Sequence, residues 1–293
     1  MAAAANPIGT VSIRGALLLL LLVATFVSAA EGSIKGFAPY GMSYKVDGSG
    51  RRQNATGRFS DFMVQSDFVA KMLGLRQSPP TYLSKQQPPY DPSGINFAFG
   101  GAGMFHFPGE LMTVSEQVDI FERMIKGGTI SHNHVTRSIA LLPVSGFDYK
   151  RFNVSGYTYP LGCTPFWCRP TFYQECEYFG NAIASVHNKK LKQKLPRKKG
   201  IFIVDLYTAF HNIIADNGSK TYKQFLRGRK PCCESFGPTT YCGEEHPAMG
   251  RLYSLCKDPR TRFFWDEAHP THAGWEAMMK QLEEPIKEFL GVV

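Results

Sequence analysis

The segment Phe263-Phe264-Trp265-Asp266-Glu267-Ala268-His269-Pro270-Thr271-His272-Ala273-Gly274 holds the residue types best suited to chemistry. An Asp three residues ahead of a His, just before a helix, can lie beside the imidazole and orient it. A His held in that way takes a proton from a hydroxyl nucleophile and returns it to a leaving group. The same spacing also serves a plain loop in which Asp266 caps backbone and His269 is structural. A metal site from Asp266, His269 and His272 lacks a further ligand nearby, so neither a metal nor another cofactor is expected. Upstream, Gly100-Gly101 follows a short apolar run. A glycine at a strand end lets a backbone N–H approach a developing oxyanion, and it also makes a tight turn between sheet and helix.

These residues need a frame to hold them. Phe62, Phe68, Val69, Met72 and Leu73 predict a helix over 61–73, with Ser60 or Asp61 as cap and Gly74 as stop. Residues 77–93 form a Pro-rich connector, and 95–99 read as a short strand. Val114, Val118, Phe121 and Ile125 fall at helical spacing, closed by Gly127-Gly128. Residues 138–144 read as a buried strand weakened by Pro143, 172–195 as a long helix, and 201–206 as a second strongly apolar strand leading into a helix. The last helix, 273–289, has its apolar stripe at Trp275, Met278, Met279, Leu282, Ile286 and Phe289, with a kink expected at Pro285. Strands alternating with helices predict an α/β fold with a parallel sheet covered on both faces and chemistry beyond the strands' carboxyl ends. Residues 32–53 are polar and Gly-rich and read as loop, and only three strands are evident, none of them between the signal peptide and Gly94, which is thin for this length.

The chain has 293 residues, a formal charge of +9, 43% hydrophobic and 19% charged residues, which excludes a disordered chain. Residues 15–27 are apolar, with Arg14 before them and Val27-Ser28-Ala29-Ala30 after them, the layout of a secretory signal peptide. The expected division is a signal peptide over 1–29 and one domain over 30–293. No apolar run reaches the length of a membrane span. Sequons at Asn54, Asn153 and Asn217 agree with export and glycosylation. All seven cysteines lie between Cys163 and Cys256, which predicts local disulfides with one thiol left over. Lys189, Lys190, Lys192, Lys194, Arg197, Lys198 and Lys199 form the densest basic stretch. It reads as a solvated helix face, with weak attraction to acidic wall polysaccharide or anionic surfaces as its further use. No nucleic-acid partner is expected of an exported chain.

Asp266-x-x-His269-Pro270-Thr271-His272-Ala273-Gly274 closely resembles the last conserved block of the plant GDSL esterase/lipase family, of SGNH-hydrolase type. Further matches stand in family order: Ala38-Pro39-Tyr40-Gly41, Asn54-Ala55-Thr56-Gly57-Arg58-Phe59-Ser60-Asp61, Ile95-Asn96-Phe97-Ala98-Phe99-Gly100-Gly101-Ala102, Leu161-Gly162-Cys163-Thr164-Pro165 and Pro231-Cys232-Cys233. The resemblance implies a flavodoxin-like three-layer α/β/α sandwich and hydrolysis of carboxylic esters through an acyl-enzyme. It assigns the orienting acid to Asp266, the base to His269 and an oxyanion donor to Gly101 or Gly100. The implied substrates are lipid, cutin-like or acetylated-carbohydrate esters. The expected cysteine pairing is Cys163–Cys176, with Cys232, Cys233, Cys242 and Cys256 forming two more bonds and Cys168 left as the free thiol.

Three departures from the family pattern stand out. The Gly-Asp-Ser block that delivers the nucleophile is missing, and Gly32-Ser33 lacks both the preceding strand and the Asp, so the nucleophile is unassigned. Phe147 stands where the family's oxyanion-binding Asn belongs. After Asn153-Val154-Ser155-Gly156 the chain reaches Tyr159-Pro160-Leu161-Gly162-Cys163 without the family's intervening helix and strand. The expectation is therefore an incomplete sandwich with little or no hydrolytic activity. The alternative is a secreted, non-catalytic protein that uses the family cleft to bind glycan or lipid.

Overall fold

The computed structural model describes residues 20–22, 44–46, 52–55, 58–82, 93–98, 113–142, 160–195, 201–214, 223–225, 228–237 and 240–292. In chain order its elements are β1 (Leu20–Leu22), β2 (Tyr44–Val46), β3 (Arg52–Ala55), α1 (Gln65–Met72), β4 (Gly94–Asn96), α2 (Val114–Lys126), α3 (His132–Val135), β5 (Ile139–Leu141), α4 (Pro165–Cys168), α5 (Tyr178–Lys194), α6 (Leu206–Ile214), β6 (Cys233–Ser235), β7 (Glu245–His246), β8 (Gly250–Arg251), β9 (Tyr253–Leu255) and α7 (His272–Leu290). β4, β1 and β5 make a parallel sheet in that order, with Leu21 paired to Ile95 on one side and Ala140 on the other. β2 with β3, β6 with β9, and β7 with β8 form antiparallel pairs. The chain is thus an α/β protein.

Strand expectations change. Between the leader-like segment and Gly94, β2 and β3 pair antiparallel where loop was expected, and Leu20–Leu22, inside the segment read as a signal peptide, takes the middle of the parallel sheet. A short continuous apolar run suits a leader and the inside of a parallel sheet alike, so composition does not separate the two. Conversely, residues 201–205 form no strand. Phe202 and Val204 pack against the main core, and Phe202 stacks on Phe289 of α7 with ring centroids 5.2 Å apart. An apolar extended segment joins a sheet only where a neighbour offers a ladder, and among the described residues none does here.

Helix boundaries follow their caps. α1 begins at Gln65 rather than near Asp61, because the Asp67 carboxylate accepts the Val64 N–H at 3.0 Å. Asp67 also takes both arms of the Arg58 fork at 2.7 Å and the Ser78 N–H and hydroxyl at 2.9 and 2.7 Å. Burial alone would raise the Asp67 carboxyl, but these donors outweigh it and hold it below the usual carboxylate range. In α2, Thr113 and Glu116 cap each other reciprocally. Its buried face is Val114, Gln117, Ile120 and Met124, while Val118 is exposed. α5 starts only at Tyr178, since Phe172 and Tyr173 take left-handed backbone (φ 51° and 66°) that no helix contains. α7 runs through Pro285 and stops at Gly291, φ 67°.

The main core joins α1, α6 and α7 around Val69, Phe210, Phe263, Phe264, Met278 and Met279. A second cluster packs β4 against α2 through Ile95, Phe97, Ile120 and Met124. A third gathers Cys232, Cys233, Cys242, Tyr253 and Trp265, behind the segment that carries Asp266.

Candidate active site

The segment from Phe263 to Thr271 folds back on itself. The Thr271 N–H donates to the Phe263 carbonyl at 2.8 Å and the Trp265 N–H to the His269 carbonyl at 2.7 Å, leaving Asp266 to His269 as the tip. Asp266 is 2% exposed. Its Oδ1 accepts the Ala268 and His269 N–H groups at 2.9 and 2.8 Å, and both carboxylate oxygens lie 2.8 Å from His269 Nδ1. A carboxylate accepts only, so Nδ1 carries a hydrogen, and in the neutral imidazole this puts the ring's lone pair on Nε2. Phe59 stacks nearly flat on the imidazole, with centroids 4.7 Å apart and planes inclined by 16°. The ring is thereby set by a carboxylate at its edge and a phenyl on its face.

Neighbouring elements brace the loop. The Cys232 and Cys233 N–H groups donate to the Phe264 and Trp265 carbonyls at 2.9 and 2.6 Å. Disulfides Cys232–Cys256 and Cys233–Cys242 tie that segment in turn to the residue just after β9 and to the turn after β6. On the other side α7 begins at once: Thr271 caps it by accepting the Gly274 N–H at 3.0 Å. Gly274 is required there, because a Cβ would run into the Phe263 carbonyl oxygen. Asp61, expected as a cap for the helix after it, instead accepts the first N–H of α7, that of His272, at 2.6 Å. Burial pushes the Asp61 carboxyl up. Phe68 stacks on His272 and Phe62 meets it edge-on. Sequence reasoning found the block around Phe59-Ser60-Asp61 but not its use, since nothing local ties it to residues far along the chain.

Glu267 also escaped that reasoning. It is half-buried and accepts the Ser235 hydroxyl at 2.6 Å, while its carbonyl accepts the Phe166 N–H at 2.9 Å. Arg169 donates to Ser235 through both of its terminal nitrogens. Burial, and next the charge of Asp266, push the Glu267 carboxyl up.

Of the other residues singled out in the sequence, Gly100, Gly101, Ser33, Phe147, Asn153 and Asn217 lie outside the described residues, and Asn54 belongs to β3. Cys163 is bonded to Cys176, and Cys168 is a buried free thiol, pushed up to about 11 by burial. Among the described residues no group of three or more His, Cys, Asp or Glu could hold a metal, and no helix is long and apolar enough to cross a membrane.

Comparison with known proteins places this geometry. The family model of the GDSL-like lipase/acylhydrolases matches residues 132–282, a span that includes Asp266 and His269. A GDSL esterase/lipase of Arabidopsis thaliana is 30% identical over 295 aligned positions, covering 85% of this chain and 79% of the relative. Two more from the same plant are 27% and 28% identical, covering 86% and 85% of this chain and 88% and 81% of theirs. The first alignment is longer than this 293-residue chain although it covers only 85% of it, so that relative carries residues with no counterpart here. With a matched family model over half its length and relatives similar along most of the rest, the chain belongs to the GDSL-like lipase/acylhydrolase family.

Proposed function

We propose that this chain is a secreted carboxylic ester hydrolase by descent, in which Asp266 orients His269 as the general base of an acyl-enzyme mechanism, and that loss of the serine block leaves it weakly active or inactive. The observation that carries the reading is His269 Nδ1 at 2.8 Å from both oxygens of Asp266, with the lone pair on Nε2 for a hydroxyl proton. The frame is a flavodoxin-like α/β/α sandwich lacking strands, with Gly101 or Gly100 as backbone donor to the oxyanion. Its substrates are lipid, cutin-like or acetylated-carbohydrate esters.

Magnitudes decide against strong activity. An oxyanion donor is worth about 100- to 1000-fold in turnover, and Phe147 supplies none. A lost nucleophile costs roughly a million-fold. Residues of the first relative without counterpart here agree with missing segments. Three sequons, the leader-like N-terminus and three disulfides support export and glycosylation at Asn54, Asn153 and Asn217. The test is hydrolysis of a short-chain nitrophenyl ester by the purified chain beside His269→Ala. Equal, near-background rates are expected; brisk turnover abolished by His269→Ala would overturn the inactivity.

The second reading, a non-catalytic binding protein of the family, is favoured by aromatic rings held in solvent on the stretch of chain that Phe166 and Arg169 link to Glu267: Phe172 is 83% exposed and Tyr178 84%.

A further inference from the structure

We infer that the disulfide-closed segment from Cys163 to Cys176, together with one face of α5, is a docking surface for an anionic lipid bilayer, and that it brings the His269 loop to that surface. Large apolar side chains standing singly in water need no explanation, but several close together in sequence, on a segment bonded to a site, do. Here Phe166, Phe172, Tyr178, Phe179 and Val186 are all exposed large hydrophobics within one short stretch of chain. At roughly 100° per residue, Tyr178, Phe179 and Val186 fall within about 120° of the α5 circumference, and Lys189 and Lys190 share that arc. Both lysines are exposed. One helix face therefore presents aromatic and aliphatic groups at its start and two cations further along. Seated end-on, such a face would put its first rings at the headgroup boundary and its two ammonium groups among anionic headgroups.

The backbone holds these rings out. Phe172 and Tyr173 are successive left-handed residues without glycine's freedom, a conformation that persists only where the surroundings impose it. The Cys163–Cys176 bond closes the segment. The Phe172 N–H donates to the Arg169 carbonyl and the Tyr173 N–H to that of Cys168. The Tyr173 hydroxyl donates to Glu234 at 2.7 Å, which turns that side chain inward while Phe172 points to solvent. At the base of α5 the chains meet closely: a Cβ on Gly162 would strike the Glu177 carbonyl oxygen. The surface is also joined to the site at two points, through the Phe166 N–H on the Glu267 carbonyl and through Arg169, Ser235 and the Glu267 carboxylate. A polysaccharide reader would present rings with hydrogen-bonding groups beside them. Of the large exposed side chains named above Tyr178 alone carries a hydroxyl, whereas Phe166, Phe172, Phe179 and Val186 offer apolar surface, which suits a bilayer, and the chain's +9 charge suits an anionic one.

The docking needs no hydrolysis, so its test is separate from that of the ester chemistry. The full chain is sedimented with vesicles of phosphatidylcholine mixed with phosphatidylserine, with vesicles of phosphatidylcholine alone, and with soluble polygalacturonate as competitor. Binding to the anionic vesicles, weakened by salt and lower on neutral ones, is expected. The paired variant Phe172→Ser with Phe179→Ser should lower it at least about tenfold, and Lys189→Glu with Lys190→Glu by a similar factor, with near-ultraviolet circular dichroism unchanged. Trp167 in α4 is the half-buried tryptophan of the surface, whereas Trp265 and Trp275 are buried. Brominated lipid should therefore quench Trp167 emission, and Trp167→Phe should remove the quenching. No binding to either vesicle, binding indifferent to the aromatic pair, or capture by polygalacturonate alone would each overturn the inference.

Discussion

Asp266 and Glu267 are adjacent carboxylates with different company. Asp266 meets two backbone N–H groups and the His269 ring nitrogen. Glu267 has the Ser235 hydroxyl, and burial and the neighbouring charge push its carboxyl up. With the folded value above the unfolded one, the folded state favours the protonated acid. Its contribution to stability is full below the ordinary glutamate range and is lost as pH rises through the raised value. Glu267→Gln keeps an acceptor for Ser235 and copies the neutral form. The variant should therefore melt a few degrees above the parent at about pH 8, with the difference closing by about pH 4, in thermal unfolding followed by circular dichroism. A variant less stable at the higher pH would show that Ser235 and Arg169 need the charge.

Elements in this chain are defined as much by cross-links as by periodicity. α2 and α7 were legible locally: apolar residues at helical spacing closed by Gly127-Gly128 marked one, and the apolar stripe from Trp275 to Phe289 marked the other. The start of α5 was not legible. The left-handed pair at Phe172 and Tyr173 lies in the loop closed by the Cys163–Cys176 bond and follows Arg169, which reaches Ser235, and neither contact is local in sequence. The choice of partners among Cys232, Cys233, Cys242 and Cys256 likewise depends on β6 lying against β9. Cys168 sits fully buried, donates to the Gly162 carbonyl, and has its thiol pushed up to about 11. Alkylation followed by intact mass is expected to add one label in denaturant without reductant and essentially none to the native chain, since a buried neutral thiol is a poor nucleophile. Two or more labels would contradict the three bonds.

For the whole molecule, the first thirty residues pose a choice that one chain cannot escape. Export through the proposed leader removes residues 1–29 and with them β1, the strand between β4 and β5. The processed chain would then hold two strands without the one that joins them, exposing ladder groups on both. Protein collected from the medium of a secreting host should begin near Glu31 on N-terminal sequencing and unfold less cooperatively than the uncleaved chain. An intact Met1 in the medium would set the leader reading aside and leave β1 in its sheet.

By itself the sequence determined the α/β class, the family, the position of most helices and the Asp266–His269 pairing. These rest on short-range pattern: hydrophobic period, caps, and an acid and base three residues apart that meet with almost no chain to order between them. The tertiary structure alone decided that Phe59 lies on the imidazole, that Asp61 caps α7 from 211 residues away, that residues 201–205 pack as extended chain rather than strand, and that Leu20–Leu22 takes the middle of the sheet. The physical reason is the same for each. Such contacts join groups whose meeting depends on how every intervening element packs, and a long apolar or polar stretch carries no local mark of the partner it will find.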